Sequence, residues 1–333
     1  MAVMKILYLD LGLEPIEDYN RFPKKYGGAR SVVSSLLYNL DNFELYADEK
    51  CFEGIEENIL KKCHTLSLEQ RQKIREGVAL DTIISEAKNF DILLHHSTNV
   101  YVNTFNFKIN QFVWSVGWGE IIEPRNKYVL LFDKEIQNPQ FSSANHTIYD
   151  IILGLPIPKF EEYKKEGYIF NCCRQTKLFQ SAKLAEICQK HKIPAIFAGP
   201  IDKDYELEFL QYIDDKSTQY IGIIDEETKI KLSKPASAHV MLQTYPISVT
   251  LSAKQALAYG VPILATPVGG WPAFIKNAYN GFIVRNEEHF LMAWGFCKNN
   301  KVQQKNCWDS IQIYSEQKMI DSFLKVFEYI LNK

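Results

Sequence analysis

Short, continuous apolar runs recur along the chain and alternate with stretches whose apolar residues fall at helical spacing. Residues 4–11 (MKILYLDL) form one such run, and residues 31–40 (SVVSSLLYNL) carry the helical period. Further runs lie at 43–46, 92–95, 111–114 and 128–132. Strands buried on both faces read as unbroken apolar runs, so the first half predicts a parallel sheet covered by helices. At residues 154–158 (GLPIP) the pattern breaks, and a charged stretch over 159–165 marks a domain boundary. Beyond it the alternation is cleaner, with strands predicted at 168–171, 195–198, 220–223, 239–242 and 262–265. Helices are predicted at 181–191, 205–213 and 251–259, giving a series of βα units. Residues 315–331 place Met319, Ile320, Phe323, Val326, Phe327 and Ile330 on one helical face, so the segment ends as an amphipathic helix whose stripe core packing explains.

A chain of 333 residues exceeds what one core usually holds, which predicts two domains of roughly 150 residues each. Hydrophobic residues at 46% and charged residues at 23% describe a folded chain. The net charge of -2 supplies no field to draw it onto nucleic acid or an anionic bilayer. Seven scattered cysteines without C-x-x-C spacing argue against a disulfide framework and a zinc site, and fit a reducing cytoplasm. The first apolar run, broken by Asp10, reads as a buried strand and not as a signal peptide. No run reaches the ~20 apolar residues of a membrane span, so any membrane contact is expected to be peripheral.

Three segments carry candidate chemistry. The pair Gly27 and Gly28 stands between the first strand and the first helix, where bare backbone and the opening amides of a helix can receive phosphate or sugar oxygens; a plain turn is the other reading. Arg174 and Lys177 follow the first strand of the second half. In open α/β sheets ligands bind beyond the carboxyl ends of strands, and two cations there can meet a departing diphosphate. Surface charges on a loop would read the same way. The third segment, residues 250–270 (TLSAKQALAYGVPILATPVGG), is a helix ended by Gly260, a buried strand and a second glycine turn, closed by NGFIV at 280–284.

This third segment resembles the donor-binding region of family-4 glycosyltransferases. Their pattern runs Glu, seven residues, Glu-Ala-hydrophobic-Ala-x-Gly-x-Pro, a strand, Gly-Gly-x-x-Glu, and later Asn-Gly and three apolar positions. The family also places Arg and Lys after the first strand of the second domain and a Gly-Gly turn early in the first. The resemblance covers residues 4–284. It implies a GT-B fold: α/β, two doubly wound Rossmann-like domains facing a cleft, with the C-terminal helix crossing back to the first. The implied domains are 1–155 plus about 313–333 for the acceptor, and 160–312 for the nucleotide-sugar donor.

The resemblance assigns the donor diphosphate and ribose to Gly27, Gly28, Arg174, Lys177, Thr250, Leu251 and Gln255. UDP- or GDP-sugar is the implied cosubstrate, with no permanently bound cofactor and no metal. The acceptor would be a glycan, a lipid-linked or another molecule, and transfer would retain anomeric configuration. The departures are specific. Gln255 stands where the family has its second Glu, and an amide oxygen still accepts a ribose hydroxyl. Ile247 stands where it has the first, and an aliphatic chain can stabilise no positive charge. His96 and Glu120 are the residues left to support the oxocarbenium-like sugar, and Trp118 and His95 to contact sugar or acceptor. Asp202-Lys203-Asp204 reads as a solvated loop before a metal site. The loss of the first Glu keeps open a catalytically silent binding protein on the same fold, and a nucleic-acid-base glycosyltransferase is the remaining alternative.

Overall fold

A computed structural model describes residues 4–11, 28–52, 55–96, 102–104, 109–115, 125–132, 146–246 and 249–333. Its strands are β1 (Ile6–Leu9), β2 (Phe43–Ala47), β3 (Cys63–Thr65), β4 (Ile92–His95), β5 (Asn110–Ser115), β6 (Tyr128–Phe132), β7 (Thr147–Ile151), β8 (Ile169–Cys172), β9 (Ala195–Ala198), β10 (Thr218–Tyr220), β11 (His239–Met241), β12 (Ile263–Ala265) and β13 (Gly281–Ile283). The helices are α1 (Gly28–Asn39), α2 (Glu57–Leu60), α3 (Leu68–Arg75), α4 (Ser181–Lys190), α5 (Glu206–Leu210), α6 (Glu226–Ser233), α7 (Leu251–Ala258), α8 (Trp271–Phe274), α9 (Glu287–Lys298), α10 (Gln304–Ile311) and α11 (Glu316–Leu331). The chain divides into two compact units, residues 1–154 with 316–333, and residues 155–315.

The first unit is a seven-stranded parallel sheet in the order β3-β2-β1-β4-β5-β6-β7. Strands β1 and β4 are buried throughout, as their apolar runs require. The apolar stripe of α11 is buried against this unit, with Phe327 edge-on to Phe112 at 5.0 Å between ring centres. Ser35 of α1 donates to Glu316, and the Ile152 amide donates to Ser322 Oγ at 3.2 Å. Helix α3 starts where Ser67 and Gln70 cap one another, each side chain accepting from the other's amide.

The second unit holds two three-stranded parallel sheets, β10-β9-β8 and β11-β12-β13. They join where Ile169 bridges Ala238: the Phe170 amide donates to Ala238 at 3.0 Å and the Ser237 amide to Tyr168 at 2.8 Å. The combined order β10-β9-β8-β11-β12-β13 is that of a doubly wound fold. Strand β10 ends earlier than the sequence predicts. Gly222, at φ +71°, turns the chain away, and Ile221 and Ile223 are exposed. Helix α7 starts on Thr250, whose Oγ1 accepts from the Ala253 amide, and stops at Gly260 in the left-handed region at φ +69°.

Candidate functional site

In the second unit the winding direction reverses between β8 and β11, and ligands of such sheets bind beyond the carboxyl ends of strands at that point. The loop leaving β8 is tied down by backbone. The Cys173 amide donates to Ala198 at 3.1 Å and the Gln175 amide to Pro200 at 2.7 Å. The buried Gln175 side chain donates from Nε2 to the carbonyls of Cys173 at 2.7 Å and Ala198 at 2.9 Å. So braced, the loop turns Arg174 outward, where Nη1 meets Asp202 Oδ1 at 3.3 Å with both side chains about half exposed. Lys177 lines an open depression with Asp202, Lys203, Asp204, Tyr205 and Glu208.

The loop leaving β11 is joined to this one: the Thr244 amide donates to Leu178 O at 3.1 Å. The loop after β12 is joined in turn, with Thr266 Oγ1 donating to Gln243 O at 2.6 Å. Three connections from the carboxyl edge are thus bonded side by side. The β11 loop leads into α7, whose first amides, of Leu251 and Ser252, have no intrahelical acceptor. A helix opening of this kind carries partial positive charge toward an anion.

Gln255, one turn further along α7, donates from Nε2 to Glu226 Oε1 at the start of α6. The other Glu226 oxygen takes Lys229 Nζ at 2.5 Å. Behind this pair Phe170, Cys172, Lys229, His239, Ser252 and Gln255 line a small cavity. His239 donates from Nδ1 to Phe170 O at 2.8 Å across the β8–β11 junction. Burial lowers its pKa to about 4, so the ring is neutral.

In the first unit His95 ends β4 fully buried, with Nε2 3.1 Å from the Gln111 amide, which also touches Asn126 at 2.8 Å. His95, expected to contact sugar or acceptor, thus lies against Gln111 of β5 at the end of its strand. His96, partly exposed, has Nδ1 2.5 Å from the Tyr8 hydroxyl and its ring stacked on that tyrosine. Gly28 opens α1. Gly27, Trp118, Glu120 and Ile247 lie outside the described residues.

The structure therefore gathers Arg174, Lys177, Thr250, Leu251 and Gln255 on connections of the second unit, and sets His96 in the first. Sequence reasoning missed Asp202 as the partner of Arg174, Glu226 as the partner of Gln255, and His239. Asp202 was visible as part of an acidic loop. No helix is predicted over 226–233, so nothing in the sequence marks Glu226, and nothing near His239 in the chain marks it. Among the described residues no group of three or more His, Cys, Asp or Glu is placed to hold a metal ion, and no helix is long and apolar enough to cross a membrane.

A family model, that of Glycosyl transferases group 1, matches residues 172–296. An uncharacterized glycosyltransferase of Methanocaldococcus jannaschii, MJ1607, is 29% identical over 38% of this chain and 37% of its own length. The match thus spans little more than a third of that relative. Among solved structures, AviGT4, a glycosyltransferase involved in avilamycin A biosynthesis, aligns with a TM-score of 0.71 at 12% identity over 99% of this chain and 98% of its own. HepE of Anabaena, solved in complex with UDP and glucose, aligns at 0.69 and 14% identity over 99% and 100%. A glycosyltransferase from Rickettsia africae ESF-5 aligns at 0.70 and 14% identity over 99% of each chain. The likenesses to solved structures each cover 99% of this chain, and the fold is the GT-B fold.

Proposed function

We propose that the chain is a glycosyltransferase that moves a hexosyl or related group from a UDP- or GDP-sugar to a glycan, lipid-linked or other acceptor. In this reading residues 155–315 bind the donor and the first unit binds the acceptor. The amides opening α7 and the side chains of Arg174 and Lys177 take the diphosphate. The observation that carries the reading is the Thr244–Leu178 hydrogen bond, which fastens the connection into α7 beside the loop bearing both cations. HepE, of the same fold, was solved with UDP and glucose, which supports a nucleotide sugar as the ligand.

The bond from the anomeric carbon to the diphosphate oxygen breaks, and one to an acceptor oxygen forms. Charge grows on the leaving diphosphate as the sugar becomes oxocarbenium-like. Two cations and a helix opening answer the negative half of that separation without a metal. His96 and Glu120 are the groups assigned to the positive half, with transfer retaining configuration. The aliphatic Ile247 favours a second reading, a nucleotide-sugar binding protein without turnover. Calorimetric titration with UDP-glucose and GDP-mannose, followed by assay of UDP or GDP release, decides between them. Binding with release supports transfer, binding alone supports the second reading, and no binding of either sinks both.

A further inference from the structure

The cavity behind Gln255 is lined by two groups that the proposed transfer does not use. Cys172 ends β8 as a free, half-buried thiol, and His239 opens β11 with 2% of its surface exposed. Ile169 bridges Ala238, which puts His239 in register with Phe170, and Cys172 stands two residues on along the same face of β8. His239 Nδ1 donates to Phe170 O at 2.8 Å, so the neutral ring presents a lone pair on Nε2. That nitrogen is buried and has no hydrogen-bond partner among the described residues. Of the other polar groups lining the cavity, Lys229 and Gln255 are engaged with Glu226, and Ser252 Oγ lies 3.1 Å from Thr250 Oγ1.

A buried imidazole that donates one ring N–H to a backbone carbonyl and turns its other nitrogen to an open space is held as metal-ligating histidines are. The cavity, about 10 Å³, admits one water-sized occupant and so no hydrated ion. We propose that Cys172 Sγ and His239 Nε2 form a two-coordinate site for a soft monovalent metal ion of the copper(I) class. Such ions accept two ligands in a line and favour thiolate, whereas zinc(II) takes four. Charge balance selects the same way. Burial raises the Cys172 thiol pKa to about 11, so the thiol keeps its proton until the ion displaces it to solvent. One thiolate, one neutral imidazole and one monovalent ion then sum to zero, with no change of oxidation state. A divalent ion would leave a net positive charge in a buried space beside the Lys229 ammonium. Neither ligand is assigned to the nucleotide, so the site stands apart from the donor reading. The structural alternative is a single water donating to Nε2.

The test is anaerobic titration of the full chain, without nucleotide, with copper(I) against bicinchoninate, whose colour reports the ion withdrawn. The wild type is expected to take up one equivalent more than Cys172→Ser. His239→Asn, which keeps a donor for Phe170 O, should bind that equivalent at least about tenfold more weakly. Cys173→Ser, which removes the neighbouring thiol, should bind as the wild type does. X-ray absorption of the wild-type complex at one equivalent reads the ligands without any variant, and one sulfur and one nitrogen are expected. Zinc(II), titrated against a zinc-sensitive dye, should show no uptake that depends on Cys172. Equal copper uptake by the wild type and Cys172→Ser overturns the site and leaves the cavity to water. Unchanged affinity in His239→Asn, loss of the equivalent in Cys173→Ser, an all-sulfur or four-coordinate shell, or zinc uptake that depends on Cys172 overturns it equally.

Discussion

Gly199, at φ +119°, backs onto the carbonyl of Cys173 so closely that a β-carbon there would lie 2.1 Å from the oxygen. The obstacle is backbone on both sides, so no side-chain rotation relieves it. Gly199→Ala therefore adds left-handed strain to a displaced loop, and the loop displaced is the one carrying Arg174. A loss of about 2–4 kcal/mol in urea unfolding is expected, together with weakened UDP or GDP binding. Unchanged unfolding and binding would show that the two loops are not braced at this point.

Arg174 and Asp202 are both about half exposed, and an ion pair at such a surface contributes at most ~1 kcal/mol. Arg174→Ala should accordingly leave the unfolding midpoint nearly unchanged while lowering nucleotide affinity more than about tenfold. Asp202→Asn removes an anion that competes with the diphosphate for the guanidinium, so it should tighten binding. Equal affinity in both variants and the wild type would place the diphosphate elsewhere.

These two loops also show what the sequence makes legible. Strands β1, β4, β8 and β9 were readable because burial on both faces demands unbroken apolar runs, and MKILYLDL or AIFA admit few other readings. Strand β3, the three residues Cys63–Thr65, and β7, whose residues are mostly exposed or half-buried, carry no such run and were not predicted. Arg174 and Lys177 were legible by position, since the end of a first strand is where an open α/β sheet binds ligands. Their surroundings were not. Asp202 reaches Arg174 from 28 residues away, and the Ala-Gly-Pro at 198–200 reads as a turn without disclosing whose carbonyl its glycine meets. Contacts between loops of different strands depend on strand order, which periodicity does not encode.

His239 makes acid sensitivity of the second unit calculable. Its folded pKa is lowered to about 4 by burial, against about 6.5 unfolded. Above pH 6.5 both states are neutral and the residue adds no pH dependence. Between 6.5 and 4 the unfolded chain takes up a proton that the folded one does not, so stability falls as pH falls, by about 3 kcal/mol in total. His239→Asn keeps a donor for Phe170 O but does not titrate. Denaturant unfolding at pH 7 and pH 5 should show a smaller difference in this variant; an equal difference would assign the sensitivity to other groups.

Phe327 provides a test that separates the two units. It is fully buried on α11, edge-on to Phe112, whereas Tyr329, two residues on, is 52% exposed. Truncating a buried phenylalanine removes its transfer free energy and leaves a cavity, which together cost about 3–5 kcal/mol, while the exposed tyrosine to alanine should cost under ~1 kcal/mol. Every residue assigned above to the donor nucleotide other than Gly27 and Gly28 lies within residues 155–315. Phe327→Ala should therefore lower the unfolding midpoint and impair turnover while calorimetric affinity for the nucleotide diphosphate, measured below that midpoint, stays within about twofold of wild type. If affinity fell in step with stability, the division of donor and acceptor between the units would have to be redrawn.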